Sequence, residues 1–300
     1  MTHAKHASAP LVFITGASSG IGLAMARERL RQGWRVALLA RHVAPLHEQL
    51  VQEGWPAESW RIWSADVCDA QSMQAVAQTC ISELGLPDVV VANAGVSLGV
   101  DLSDAQDLPV FAQVMATNVL GLVNTFQPFM VPMCNRGSGQ LVGIASVAGV
   151  RGLPGHAAYS ASKAAVISCC ESLRGELAPH GVRVTTLAPG YVATPLTARN
   201  RYRMPFLMRP EDFARQALRR REGADLELGR WACDDLGRKR LRARRGRYRR
   251  DGRRARGGRP GVGRGPRVDD RRLRDRRLRA GDHRPRRSAR HQTKRLSAAQ

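Results

Sequence analysis

Short apolar runs alternate with longer amphipathic stretches through the first two-thirds of this chain. Leu11 to Thr15, Val36 to Ala40, Arg61 to Ser64, Asp88 to Ala92, Gln140 to Ala145 and Val182 to Leu187 have the length and character of strands. Ile21 to Gln32 and Ala157 to Ala178 have the composition of helices, and helical stretches separate the other runs. Strands alternating with helices predict an α/β fold with a parallel sheet covered on both faces. Ligands of such sheets lie beyond the carboxyl ends of the strands, where the strand order reverses. From about residue 221 the pattern stops. No Ile or Phe follows Arg221, the aromatics shrink to Trp231 and Tyr248, and Arg dominates residues 240–259 and 271–290.

Charge divides the 300 residues at the same point. The formal net charge is +23, yet residues 1–220 hold 19 Lys and Arg against 15 Asp and Glu, while residues 221–300 hold 29 against 10. The first part reads as an ordinary globular domain preceded by a short extension, residues 1–9. The second has the basic balance of a segment that meets nucleic acid or an anionic surface. With so little apolar area to bury, it is expected to stay disordered. Six cysteines, Cys68, Cys80, Cys134, Cys169, Cys170 and Cys233, have neither the paired spacing of a zinc site nor the density of a disulfide scaffold. Met1 to Pro10 has no apolar stretch of a secretory signal, and no run approaches the roughly 18 apolar residues of a membrane span. These features predict a cytoplasmic protein with reduced thiols and no bound metal.

Candidate chemistry begins at the first strand. Thr15-Gly16-Ala17-Ser18-Ser19-Gly20-Ile21-Gly22 sets three glycines where a strand turns into a helix. Gly16 permits the tight turn, Gly20 lets backbone approach a pyrophosphate, and Gly22 lets helix pack on strand. Free N–H groups at the helix start then favour the anion. An NAD site holds an acid about 20 residues on, at the end of the second strand. Here that end reads Leu38-Leu39-Ala40-Arg41. A guanidinium matches a ribose 2′-phosphate where a carboxylate would repel it, so NADP(H) is expected over NAD(H).

Tyr159-Ser160-Ala161-Ser162-Lys163 puts a phenol and an ammonium four residues apart, on one helical face. A free phenol titrates near 10, and the ammonium of Lys163, helped by an oxidised nicotinamide ring, is expected to lower it toward a working pH. With Asn93-Ala94-Gly95, Asn118, Ser146 and Pro189-Gly190 in order around these motifs, residues 10–220 resemble the short-chain dehydrogenase/reductase family.

That resemblance implies a single Rossmann-type doubly wound domain that moves hydride between a nicotinamide and a small carbonyl or alcohol substrate. In it Tyr159 would exchange a proton with the substrate oxygen, Ser146 would orient that oxygen, and Lys163 would hold the nicotinamide ribose and tune the phenol. Asn118 would shape its helix so that a water links Lys163 to solvent. Asp66, with backbone at Val67, would contact adenine. Asn93 would steady the fourth strand, and backbone at Val192 with the Thr194 hydroxyl would fix the carboxamide. Leu153, Pro154, Tyr191 and Tyr202 to Met208 would line an apolar substrate pocket, and the family usually forms homo-oligomers.

The family also continues with a seventh strand and a helix. Beyond a short candidate at Asp225 to Leu228, this chain offers no equivalent, which bears on assembly, pocket closure and stability. Two accounts of residues 221–300 compete. One is a nucleic-acid or anionic-surface arm, in which the domain serves as a cofactor-binding scaffold. The other is an out-of-frame reading of a GC-rich gene, which explains why Arg outnumbers Lys there by 27 to 2. On that account a correctly patterned enzyme could be left inactive.

Overall fold

The computed structural model describes residues 9–198, 200, 203–219 and 227–228. Residues 1–8, Tyr202 of the expected pocket stretch and all of the Arg-rich segment except Glu227 and Leu228 lie outside the described residues. Strands and helices alternate in chain order: β1 (Leu11–Thr15), α1 (Gly20–Arg31), β2 (Arg35–Ala40), α2 (Ala44–Gln52), β3 (Trp60–Ser64), α3 (Ala70–Leu84), β4 (Val89–Ala92), α4 (Leu108–Met115), α5 (Gly121–Arg136), β5 (Gly139–Ile144), α6 (Ala157–Leu177) and β6 (Val182–Ala188). A helix α7 (Pro210–Arg219) and a two-residue β7 (Glu227–Leu228) follow. Every neighbouring pair is parallel, in the order β3-β2-β1-β4-β5-β6-β7. The order therefore reverses between β1 and β4, where a ligand crevice opens in a doubly wound Rossmann-like sheet.

Successive residues of β1 feed opposite cores. Leu11 and Phe13 join Phe126, Phe129 and Met133 of α5 and Val166 and Cys170 of α6 on one face. Val12 and Ile14 join Leu23 and Met25 of α1, Leu46 and Leu50 of α2 and Ala214 of α7 on the other. A strand buried on both sides needs apolar residues at every position, which is why LVFIT shows no alternation.

Two features depart from the sequence reading. Helix α7 goes beyond the expected elements; Phe213, Ala214, Ala217 and Leu218 pack into the α1 side of the core. The candidate seventh strand shrinks to Glu227 and Leu228, paired with Leu187 and Ala188. Elsewhere, an 18-residue window of the continuous helical stretch Ala105–Arg136 reaches a mean hydropathy of 1.3, long and apolar enough by length and composition alone to cross a membrane. Its scattered Thr, Asn and Gln hide that stretch from a search for unbroken apolar runs. Of that window, 28% is buried. Phe126, Phe129 and Met133 face the sheet, whereas Leu120, Val123 and Val131 stay exposed.

Candidate active site

Loops at the carboxyl ends of the strands enclose one cavity of about 360 Å³. The β1–α1 turn contributes Gly16, Ser18, Ser19, Gly20 and Ile21; Arg41 stands just past β2, and Asp66 and Val67 just past β3. Asn93, Ala94 and Gly95 follow β4, and Ser146 follows β5; Tyr159 and Lys163 come from α6, and Pro189, Gly190, Val192 and Thr194 from the segment after β6. Three expected site residues, Thr15, Gly22 and Asn118, lie behind this wall rather than in it. Leu153, Pro154, Tyr191 and Arg203 to Met208 are also outside it, although Met208 pairs with Val192 beside the Pro189–Thr194 end. His42, Val96, Thr117, Leu196 and Thr197 line the cavity without having been anticipated. Each stands within three residues of an anticipated one, which was the available signal.

The residues behind the wall hold it in place. Thr15 Oγ1 accepts from the backbone N–H groups of Asn93 (3.2 Å) and Ala94 (3.3 Å), tying β1 to the β4 loop. Asn93 Nδ2 donates to the carbonyls of Thr15 and Gly16, each at 3.0 Å. A Cβ on Gly22 would sit 2.4 Å from Gly16 O and 2.5 Å from Asn93 Nδ2, so only glycine admits this crossing.

The start of α1 is left ready for an anion. Ser19 is the N-cap, yet its hydroxyl makes no capping bond, and no acid occupies the first turn. The N-cap of α3 shows the alternative, since Asp69 accepts from both Gln71 and Ser72. Helix N-termini carry unsatisfied N–H groups and a positive partial charge, so uncapped donors facing a cavity suit a pyrophosphate. The residues present therefore fit a dinucleotide.

At the other end, Ser146 and Tyr159 are in hydrogen-bonding contact, and Ser146 Oγ also accepts from Ala148 N at 3.2 Å. Lys163 is 5% exposed, and its Nζ donates to Ile144 O at 2.7 Å. Asn118 lies in a π-helical turn, Ala116–Leu120, between α4 and α5. Its Oδ1 accepts from Val96 N (2.8 Å), while Nδ2 donates to Val96 O and to Ser162 Oγ, both at 2.9 Å. Ser162 in turn donates to Tyr159 O at 2.7 Å. A Cβ on Gly95 would lie 3.1 Å from Asn118 Oδ1 and 3.5 Å from Lys163 Nζ, so Gly95 borders the space those two groups share.

Lys163 alone does not deliver the expected acidification of the phenol. Tyr159 is raised above the ordinary phenol value, not lowered, because burial disfavours its anion more than the Ser146 hydrogen bond stabilises it. Lys163 Nζ lies 5.7 Å from the Tyr159 ring centroid and is itself pulled down from 10.5 to about 8 by burial. The low value has a consequence for folding. Between about pH 8 and pH 10.5 the unfolded chain keeps a proton on Lys163 that the folded chain has lost, so the contribution of Lys163 to stability should climb with pH by about 1.4 kcal/mol per unit over that window. Below it the burial penalty is constant. Urea unfolding of the wild-type chain and Lys163→Met across the window should show the gap between them narrowing as pH rises; parallel curves would contradict the buried-amine assignment.

Comparison with known proteins points one way. A family model described as short chain dehydrogenase matches residues 10–204. An uncharacterized oxidoreductase of Myxococcus xanthus is 40% identical over 204 residues, 66% of this chain and 78% of that protein. The 2-(R)-hydroxypropyl-CoM dehydrogenase of Xanthobacter autotrophicus is 35% identical, over 62% of this chain and 76% of its own. A crystal structure of a short-chain dehydrogenase from Streptomyces avermitilis superposes with a TM-score of 0.69 at 25% identity, covering 85% of this chain and 100% of that one.

Proposed function

This chain belongs to the short-chain dehydrogenase/reductase family of oxidoreductases, and we propose that it interconverts a carbonyl and a secondary alcohol with NADP(H), using the cavity as its active site. The observation that carries this reading is the convergence of Ser146, Tyr159 and Lys163 on one end of a cavity whose other walls include the uncapped start of α1 and Arg41. When bound, the nicotinamide would supply or accept the hydride.

The chain's own groups would do the rest. Tyr159 gives its phenolic proton to the substrate oxygen in reduction and takes it back in oxidation. Ser146 Oγ accepts from Ala148 N, and its O–H, which now meets Tyr159, would hold that oxygen. One of the three Lys163 donors is bound to Ile144 O, and the other two remain for the ribose hydroxyls. Asn118 and Gly95 border the path by which a water could return protons to Lys163. Gly16, Ser18, Ser19, Gly20 and Ile21 would hold the pyrophosphate, Asp66 and Val67 the adenine, and Pro189, Gly190, Val192 and Thr194 the nicotinamide, with Asn93, Ala94 and Gly95 fixing the middle of the crevice. The domain carrying this work spans residues 10–220.

Arg41 decides between the two dinucleotides. It is exposed at the end of β2 and lines the cavity, where an NAD site would offer a carboxylate. A charge-assisted contact contributes about 1.5–3 kcal/mol, so Arg41→Ala should weaken NADPH binding roughly ten- to a hundredfold and leave NADH unchanged. Fluorescence titration of the full-length chain with both cofactors reads this directly. Equal affinity of the wild-type chain for NADPH and NADH would defeat the preference, and binding of neither would defeat the site. The exposed apolar side of the Ala105–Arg136 helical stretch, with Leu120, Val123 and Val131, would accept a second copy; a monomeric mass by light scattering would remove that proposal.

A further inference from the structure

We propose that Asn124 is a positioning residue that fixes the adenine wall of the cavity and so lets the chain distinguish adenine from a purine lacking the 6-amino group. The inference rests on reading the cavity as a dinucleotide site. Asn124 lies in the first turns of α5, and its Nδ2 donates to Val67 O at 2.8 Å. Gly121, three residues earlier, makes that reach possible: a Cβ there would meet Val67 Cγ2 at 2.6 Å. Helix α5 thus grips the β3–α3 loop from behind, while Val67, 5% exposed, and Asp66 present that loop to the cavity.

The polar groups of the loop can be followed one by one. Ala65 N donates to Ala40 O, Cys68 N to Asp66 Oδ1, and Asp69 N to Asp66 O. Val67 O is taken by Asn124. Val67 N–H takes no bond among the described residues, and the exposed Asp66 carboxylate, which also meets the Cys68 thiol, keeps lone pairs to spare. A donor beside an acceptor matches the adenine edge, which offers N1 as acceptor and N6–H₂ as donor. Hypoxanthine reverses both, with a protonated N1 and a carbonyl at C6. A buried carbonyl that loses its partner tends to rearrange, because an unsatisfied group is costly. Freed from Asn124, the Val67 peptide would turn to find a new donor and the matched pair would be lost.

Titration of the full-length chain with NADPH and with deamino-NADPH, its hypoxanthine analogue, tests this without any turnover. The wild-type chain should prefer NADPH by about tenfold, the worth of one matched hydrogen bond. Asn124→Ala should weaken NADPH about tenfold, leave deamino-NADPH nearly unchanged and bring the ratio close to one. Asn124→Asp keeps the side chain's size but faces Val67 O with an acceptor, and should behave alike; it also covers the case in which the alanine variant fails to fold. A merely structural role would weaken both ligands by one factor and preserve the ratio, which would overturn the inference, as would a wild-type chain that binds both analogues equally. If the wild-type chain binds neither, the dinucleotide reading itself fails, and this inference with it.

Discussion

Tyr159→Phe should reduce turnover by roughly 10²–10⁴-fold, the usual contribution of a positioned general acid, while leaving the affinity for NADPH close to that of the wild-type chain. The phenol is the group in the cavity that can give a proton at the end where Ser146 and Lys163 meet. Phenylalanine keeps the ring packed beside Val100, Val114 and Ala158, so the loss isolates the hydroxyl. Its raised pKa favours the protonated form across the physiological range, which suits proton donation in carbonyl reduction. By the same argument, oxidation of alcohols should accelerate as pH rises. NADPH consumption over a panel of ketones and aldehydes, with cofactor affinity taken by fluorescence, measures both quantities. A phenylalanine variant that turns over like the wild-type chain would remove Tyr159 from the chemistry.

Gly149→Ala should be almost as damaging, although Gly149 belongs to no recognised motif and does not line the cavity. It ends the short 3₁₀ turn Val147–Gly149 that follows Ser146. A Cβ there would lie 2.5 Å from Lys163 C, 2.7 Å from Ala164 N and 2.7 Å from Lys163 O. All three atoms are backbone, so no side-chain rotation relieves the contact. Either the turn carrying Ser146 or the helix carrying Tyr159 and Lys163 must move. Overpacking of this kind costs roughly 1–3 kcal/mol of stability, and a misplacement near 1 Å can cost about 10²-fold in rate. Gly152→Ala, in the same loop, provides the control, because its Cβ would meet only Ser160 Cβ at 4.0 Å. Unfolding and turnover measurements should separate the two variants; wild-type turnover in Gly149→Ala would show that the Ser146–Tyr159 spacing tolerates the shift.

The strands were legible because burial on both faces requires runs such as LVFIT and RVALLA, and the structure moves their ends by no more than a residue or two. The loop glycines were legible because a sharp strand-to-helix turn leaves Gly16 and Gly20 at positive φ, 63° and 57°. The π-helical turn at Asn118 was not, since it depends on bonds to Val96 and Ser162, 22 and 44 residues away in sequence. Nor was α7, whose apolar residues acquire meaning only against α1.

Sequence by itself determined which reactive groups the chain carries, their order, and the α/β alternation that sends them to one edge of a sheet. Tertiary structure decided how those groups act on one another. Spacing put Tyr159 and Lys163 on one helical face and implied an ammonium that acidifies a phenol. Packing instead turned Lys163 Nζ toward Ile144 O on β5, buried it and half-buried the phenol, raising one pKa and lowering the other. Desolvation depends on every atom that excludes water from a site, and most of those atoms come from distant parts of the chain.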